Sequence, residues 1–257
     1  MLATLRHPAQ SRNPLPPLVI AHGLFGSARN WNVIARRLSE RREVFAVDMR
    51  NHGASPWAKS QSYPDMAEDL AEVIRGFGAP ADLLGHSMGG KAAMQLALSD
   101  AGLLRRLVVA DIAPIAYAHD QSQHILAMRG LDLTALTARA EADRRLAGAV
   151  PDAGLRAFFL QSLDLKAEAG PRWRLNLDVL EAEMPKITGW PGTEGSFPGP
   201  ALFLTGSESH YVRPEHRETI RTQFPKARFA KLNGAGHWLH ADRPREFEET
   251  VAVFLAA

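Results

Sequence analysis

Short apolar runs recur along the chain at Leu18–Ala21, Val44–Val47, Ala81–Leu84, Leu107–Ala110, Ala201–Leu204 and Ala227–Leu232. They are nearly continuous rather than alternating, which predicts strands buried on both faces, as in a parallel sheet. Between them the apolar positions recur every three to four residues. Trp31 to Leu38, Ser87 to Leu98 and Arg245 to Leu255 read as helices. So does Pro64 to Phe77, with Met66, Leu70, Val73, Ile74 and Phe77 on one face. Alternation of strand and helix predicts a doubly wound α/β sheet, whose ligand site lies at the carboxyl ends of the strands.

Residues 115–186 break the rhythm. They show no clear strand but several amphipathic patterns, among them Leu131 to Leu146 and Leu155 to Leu163. A Gly/Pro-rich stretch, Gly189-Trp190-Pro191-Gly192 to Gly199-Pro200, then leads back to the next apolar run. The expected organisation is a core of residues 1–114 and 187–257 with a helical insertion at 115–186.

Composition acts mainly by exclusion. The 257 residues include no cysteine, so there is no disulfide framework, no thiolate nucleophile and no cysteine-based metal site. A net charge of +2 is too small an excess to predict nucleic acid as a partner. Proline breaks the start of the chain before any apolar run of signal-peptide length, and no segment reaches the ~20 apolar residues of a membrane span. A cytoplasmic protein is the expectation.

Three motifs carry chemistry. Gly85-His86-Ser87-Met88-Gly89 stands between a predicted strand and a predicted helix. That is the context of a nucleophile elbow: a serine on a strained turn, with glycines two residues away on either side letting strand and helix approach. The helix N-terminus then favours negative charge developing beside the serine. His22-Gly23-Leu24-Phe25-Gly26 follows the first apolar run. Acyl transfer needs two backbone N–H donors for the oxyanion. Met88, after the serine, would supply one; Leu24, with Phe25 as second choice, would supply the other. Asn233-Gly234-Ala235-Gly236-His237-Trp238 follows the last run, and His237 is the candidate general base. His22 and His86 read as structural. His240 lies close enough to His237 to suggest a metal pair, but no third ligand is placed beside them, so no metal is expected and a surface or hydrogen-bonded role is favoured.

These motifs, in this order, resemble the α/β-hydrolase superfamily over nearly the whole chain. Asn51-His52-Gly53, Asp111-Ile112-Ala113-Pro114 and Trp173-Arg174-Leu175-Asn176-Leu177 resemble one branch of it, small acyl esterases and thioesterases with bacterial members and mitochondrial relatives. The resemblance implies an α/β-hydrolase fold, a mostly parallel sheet with a helical cap. With about seventeen residues before the first apolar run, the usual N-terminal hairpin is expected to be shortened.

The triad acid departs from the superfamily pattern. The customary loop reads Leu204-Thr205-Gly206-Ser207-Glu208-Ser209, with Ser209 where the carboxylate belongs and Glu208 one residue off. Asp111 ends an earlier apolar run, and the resembled branch carries its acid at this position. Asp111 is favoured over Glu208. The leading expectation is a cofactor-free serine hydrolase acting on carboxylic esters or thioesters. A ligand receptor with vestigial hydrolysis, or a C–C hydrolase or perhydrolase using the same triad, are the alternatives. Phe25, Tyr117 and Trp238, with Met128, Phe158, Phe159 and Trp173 as further candidates, are apolar enough to line an acyl pocket for short- to medium-chain substrates.

Overall fold

The computed structural model describes residues 1–257. The chain runs β1 (Thr4–His7), β2 (Leu15–Ala21), α1 (Asn32–Leu38), β3 (Arg42–Val47), α2 (Tyr63–Arg75), β4 (Ala81–His86), α3 (Met88–Ser99) and β5 (Leu104–Ala110). A mainly helical segment follows: α4 (Ser122–Gly130), α5 (Arg139–Leu146), α6 (Ala153–Leu160), β6 (Leu163–Asp164), β7 (Arg172–Trp173), α7 (Leu177–Ala182) and α8 (Met184–Thr188). The chain then returns through β8 (Ala201–Gly206), α9 (His216–Gln223), β9 (Ala227–Leu232), α10 (Leu239–Asp242) and α11 (Pro244–Ala256).

Seven strands form one sheet in the order β1-β3-β2-β4-β5-β8-β9. Every neighbouring pair is parallel except β1 with β3, which are antiparallel with Thr4 opposite Val47. All six apolar runs are strands of this sheet. β4 and β8 are buried along their whole length because helices cover both faces. Even Asp82 of β4 is buried, with the guanidinium groups of Arg42 and Arg105 as partners. One apolar core fills the face carrying α2, α3 and the helical segment; a second packs α1 and α11 on the other face. No helix is long and apolar enough to cross a membrane.

Local chemistry explains the helix boundaries. Ser62 caps α2 by accepting the Asp65 N–H, and Pro64 occupies the first turn. Met66, Leu70, Val73 and Ile74 of α2 are buried as the periodicity predicted.

Elsewhere the structure departs from the pattern. The first strand is β1, within the residues expected to fall short of a hairpin. Its alternating exposed and half-buried positions on a sheet edge produce no apolar run. The predicted helix at Leu131 to Leu146 begins only at Arg139. Before it the Asp132 side chain accepts the Thr134 N–H at 2.8 Å and Ala135 takes φ 55°, a local turn that competes with helix. The segment expected to hold no strand contains the two-residue pair β6–β7, with Leu163 opposite Trp173. Helices α4, α7 and α8 fall in the expected helical insertion, whereas α9 and α10 lie where the pattern picks out no helix. In α9 only Ile220 is buried, so it carries almost no apolar face to read.

Candidate active site

Ser87 stands between β4 and α3 with φ 53° and ψ −119°, outside the regions an L-residue normally adopts. The flanking glycines make this turn possible. A Cβ at Gly85 would overlap the Gly89 backbone, and one at Gly89 would overlap the Ala21 carbonyl of β2. The strain lifts the serine out of the sheet edge into a cavity of about 340 Å³. The Ser87 backbone carbonyl accepts from Lys91, one turn into α3.

Asp111 follows β5, the strand beside β4, and also lies in the left-handed region at φ 53°. It is fully buried. Its Oδ2 accepts from His237 Nδ1 at 2.8 Å and from the Ser209 hydroxyl. Its Oδ1 accepts the Gly206 N–H at 3.3 Å. With Nδ1 donating to the carboxylate, the neutral His237 ring carries its lone pair on Nε2. Tyr211 stacks on that ring with centroids 3.9 Å apart. The loop bearing His237 is anchored by His86, whose Nε2 donates to the His237 backbone carbonyl at 2.9 Å. Ser87 and His237 line the same cavity, with no direct hydrogen bond between them. Glu208 is exposed and its side chain touches no hydrogen-bonding or charged partner.

Leu24 and Met88 line the same cavity as Ser87 and His237. Met88 opens α3, where the N–H has no acceptor inside the helix. In the loop after β2, the Phe25 N–H is already held by His52 Nε2 at 3.2 Å, and Gly26 donates to the Gly23 carbonyl. The Leu24 N–H is left without a partner. A carbonyl oxygen between Leu24 and Met88 would meet two donors as it gains negative charge.

The cavity gathers Phe25, Tyr117, the adjacent Phe158 and Phe159, and Trp238 from four places in the chain. Met128 and Trp173 do not reach it. They pack inside the helical segment, where Trp173 Nε1 donates to the Met128 carbonyl at 2.8 Å. His240 is neither a surface nor a hydrogen-bonded histidine: it stacks on Trp31 with centroids 4.1 Å apart, and its buried Nδ1 has no partner.

Sequence reasoning overlooked Lys91, Tyr63, Tyr211, His119 and His124 in the cavity wall. Lys91 reads as one residue in an apolar helix, yet its ammonium donates to the Thr188 and Gly189 carbonyls at 2.9 and 2.5 Å. It also sits 4.7 Å from the Tyr117 ring. Burial pushes its pKa down from 10.5 to about 7. Ser209 cannot be the acid; its part as a donor to Asp111 depends on a contact far away in sequence.

Three buried histidines scaffold the site in neutral form. Burial lowers His22 to about 4. Burial, then the neighbouring His22, lowers His52 to about 3. Burial, with His237 and His240 nearby, takes His86 well below 6.5. Each ring uses one nitrogen as donor: His22 to Gly23, His52 to Arg50, His86 to His237. Below pH 6.5 the unfolded chain binds protons that the folded chain refuses. Stability is therefore full above that pH and falls as pH drops toward about 4, by up to ~1.4 kcal/mol per pH unit for each ring. Urea denaturation at pH 7.5, 6 and 5 measures the fall; a flat profile would mean these rings are charged in the folded protein.

A family model of alpha/beta hydrolases matches residues 18–250. The chain belongs to the alpha/beta hydrolase family. The hydrolase is 42% identical to the sn-1-specific diacylglycerol lipase ABHD11 of Mus musculus, over 94% of this chain and 81% of that one. It is 38% identical to Esterase YbfF of Escherichia coli, over 92% and 91% of the two chains. A solved structure described as a marine microorganism esterase superposes with a TM-score of 0.92 at 35% identity, covering 99% of this chain and 100% of that one. The hydrolase is a carboxylic ester hydrolase, from a family branch that includes bacterial esterases.

Proposed function

We propose that the hydrolase cleaves short- to medium-chain carboxylic esters or thioesters through an acyl-enzyme on Ser87, with His237 as general base and Asp111 as the triad acid. The observation that carries this reading is the 2.8 Å contact of His237 Nδ1 with the buried Asp111 carboxylate, at the rim of the cavity into which the strained Ser87 turn points. His237 Nε2 takes the Ser87 proton as Oγ attacks the acyl carbonyl. The developing oxyanion is held by the Leu24 and Met88 N–H groups. His237 then protonates the leaving alcohol or thiol as the C–O or C–S bond breaks. Water, deprotonated by the same ring, attacks the acyl-enzyme and releases the carboxylic acid and free Ser87. Asp111 is preferred to Glu208 because Glu208 is exposed and unpartnered. Leu24 is preferred to Phe25 because the Phe25 N–H is taken.

Residues 115–186 form the proposed cap over a core of 1–114 and 187–257. Phe25, Tyr117 and Trp238 would contact the acyl chain. A cavity of about 340 Å³ is at the small end of ligand pockets and suits modest acyl groups. An acyl-chain series of p-nitrophenyl esters, with matched thioesters, tests this. Repeated turnover is expected to peak at short to medium chains and to fall about tenfold or more once the chain outgrows the cavity. A single-equivalent burst without turnover, a preference for peptides, or a preference for an acyl-side carboxylate would overturn it.

A further inference from the structure

The sequence singles out Asn51-His52-Gly53 and Trp173-Arg174-Leu175-Asn176, and neither takes part in the chemistry above. In the structure the two stretches pair with one another. Gly53 N–H donates to the Arg174 carbonyl at 2.8 Å and Asn176 N–H to the Asn51 carbonyl at 3.0 Å. His52 and Leu175 thus form an isolated antiparallel bridge between core and cap. The Asn176 side chain adds a bond to Asn51 Oδ1 at 3.0 Å.

From this bridge, two arms reach the same residue. His52 Nδ1 donates to the Arg50 carbonyl at 2.8 Å, which leaves the Nε2 lone pair free to accept the Phe25 N–H. On the cap side, Arg174 N–H donates to the Ser162 carbonyl at 2.8 Å, and the Ser162 hydroxyl donates to the Phe25 carbonyl at 3.1 Å. The path from Phe25 through Ser162, Arg174 and Gly53 to His52 and back to Phe25 is a closed ring. Phe25, His52 and Ser162 are all buried. Phe25 is held at φ 64°, a conformation costly for a side chain of that size, and its ring sits edge-on against Phe159 of the cap, centroids 5.4 Å apart. A buried backbone that keeps such a φ needs its polar groups fixed from outside, and this ring fixes both the N–H and the carbonyl of Phe25.

We propose that His52 and Ser162 are positioning residues for the oxyanion site: by gripping Phe25 from core and cap they orient the preceding Leu24 N–H, so that this donor is in place only when the cap is docked. The inference rests on the proposed role of Leu24. The His52 ring needs only its lone pair for this, and it stays neutral through the working pH range.

The experiment compares His52→Ala, His52→Gln, Ser162→Ala and the His52→Ala/Ser162→Ala double variant in the full chain. Either alanine variant is expected to lower kcat about 10–100-fold, short of the 10²–10³ lost with an oxyanion donor outright, with KM changed less than about threefold. Both act on one ring, so the double variant loses about as much as the worse single one. His52→Gln places an acceptor near the Nε2 position and restores most of kcat. Affinity for a trifluoromethyl ketone, which forms an oxyanion on the active-site serine, falls in step with kcat. Affinity for the carboxylic acid product stays constant. Ser162→Ala removes one hydroxyl and serves as the folded control should His52→Ala be unstable. Unchanged kcat in both alanine variants overturns the proposal. So does an activity loss that follows the folded fraction while ketone affinity per active site is unaltered. The triad reading stands or falls separately, on whether fluorophosphonate labels Ser87.

Discussion

Ser87→Ala is expected to abolish ester turnover, with kcat falling by about 10⁶ as it does when the serine of subtilisin is removed. The hydroxyl is the only group lost, and it makes no capping hydrogen bond to α3. The Ser87 turn at φ 53° strains alanine as much as serine, and the helix it precedes keeps its contacts. Thermal unfolding should therefore shift by no more than a few degrees. His237→Ala should lose comparable activity, because a serine hydroxyl is a weak nucleophile without a base. Steady-state hydrolysis of p-nitrophenyl esters and fluorophosphonate labelling measure both. Labelling of the Ser87→Ala protein at the wild-type rate would refute the assignment, because some other nucleophile would be present.

Asp111→Asn should lower kcat by up to about 10⁴, on the precedent of the serine proteases. The amide is nearly the same size, but it can present its NH₂ to His237 Nδ1. The ring would then carry its proton on Nε2, where it cannot take one from Ser87. The imidazolium formed during attack would also lose its counter-charge. Asp111 accepts from Ser209 and Gly206 as well, so some loss of stability is expected beside the loss of rate. Glu208→Gln should leave kcat within about twofold, since surface changes without partners rarely matter. The paired kcat measurement is decisive: near-normal turnover in Asp111→Asn, or a large loss in Glu208→Gln, would move the acid elsewhere. Ser209→Ala falls between these extremes, removing one donor to the carboxylate and leaving its charge.

Much of the architecture can be read without coordinates. Strands buried on both faces are apolar at nearly every position, so Leu18–Ala21 and Leu107–Ala110 announce themselves, and the parallel sheet follows from the helices between them. A strained serine turn needs glycines at set distances, which makes Gly85 to Gly89 legible for the same reason. Edge and surface elements obey weaker constraints. β1 is half exposed, α9 buries one side chain, and local turn chemistry at Asp132 displaced the start of α5. Such elements are decided by what packs beside them.

The site divides along the same line. Residue type and chain order point to Ser87 and His237, because few side chains can serve as nucleophile or base and both stand at strand ends. The choice between Asp111 and Glu208 is different in kind. Either could be an anion, and only the adjacency of β5, β8 and β9 brings the Asp111 carboxylate to the histidine loop while Glu208 faces solvent. The partners of Phe25 belong to this second class too. His52 and Ser162 are far from it in sequence, and a hydrogen bond spanning such separations leaves no periodicity or spacing for a one-dimensional pattern to carry. Chemistry confined to one turn is written in the chain; chemistry shared between turns waits for the sheet to close.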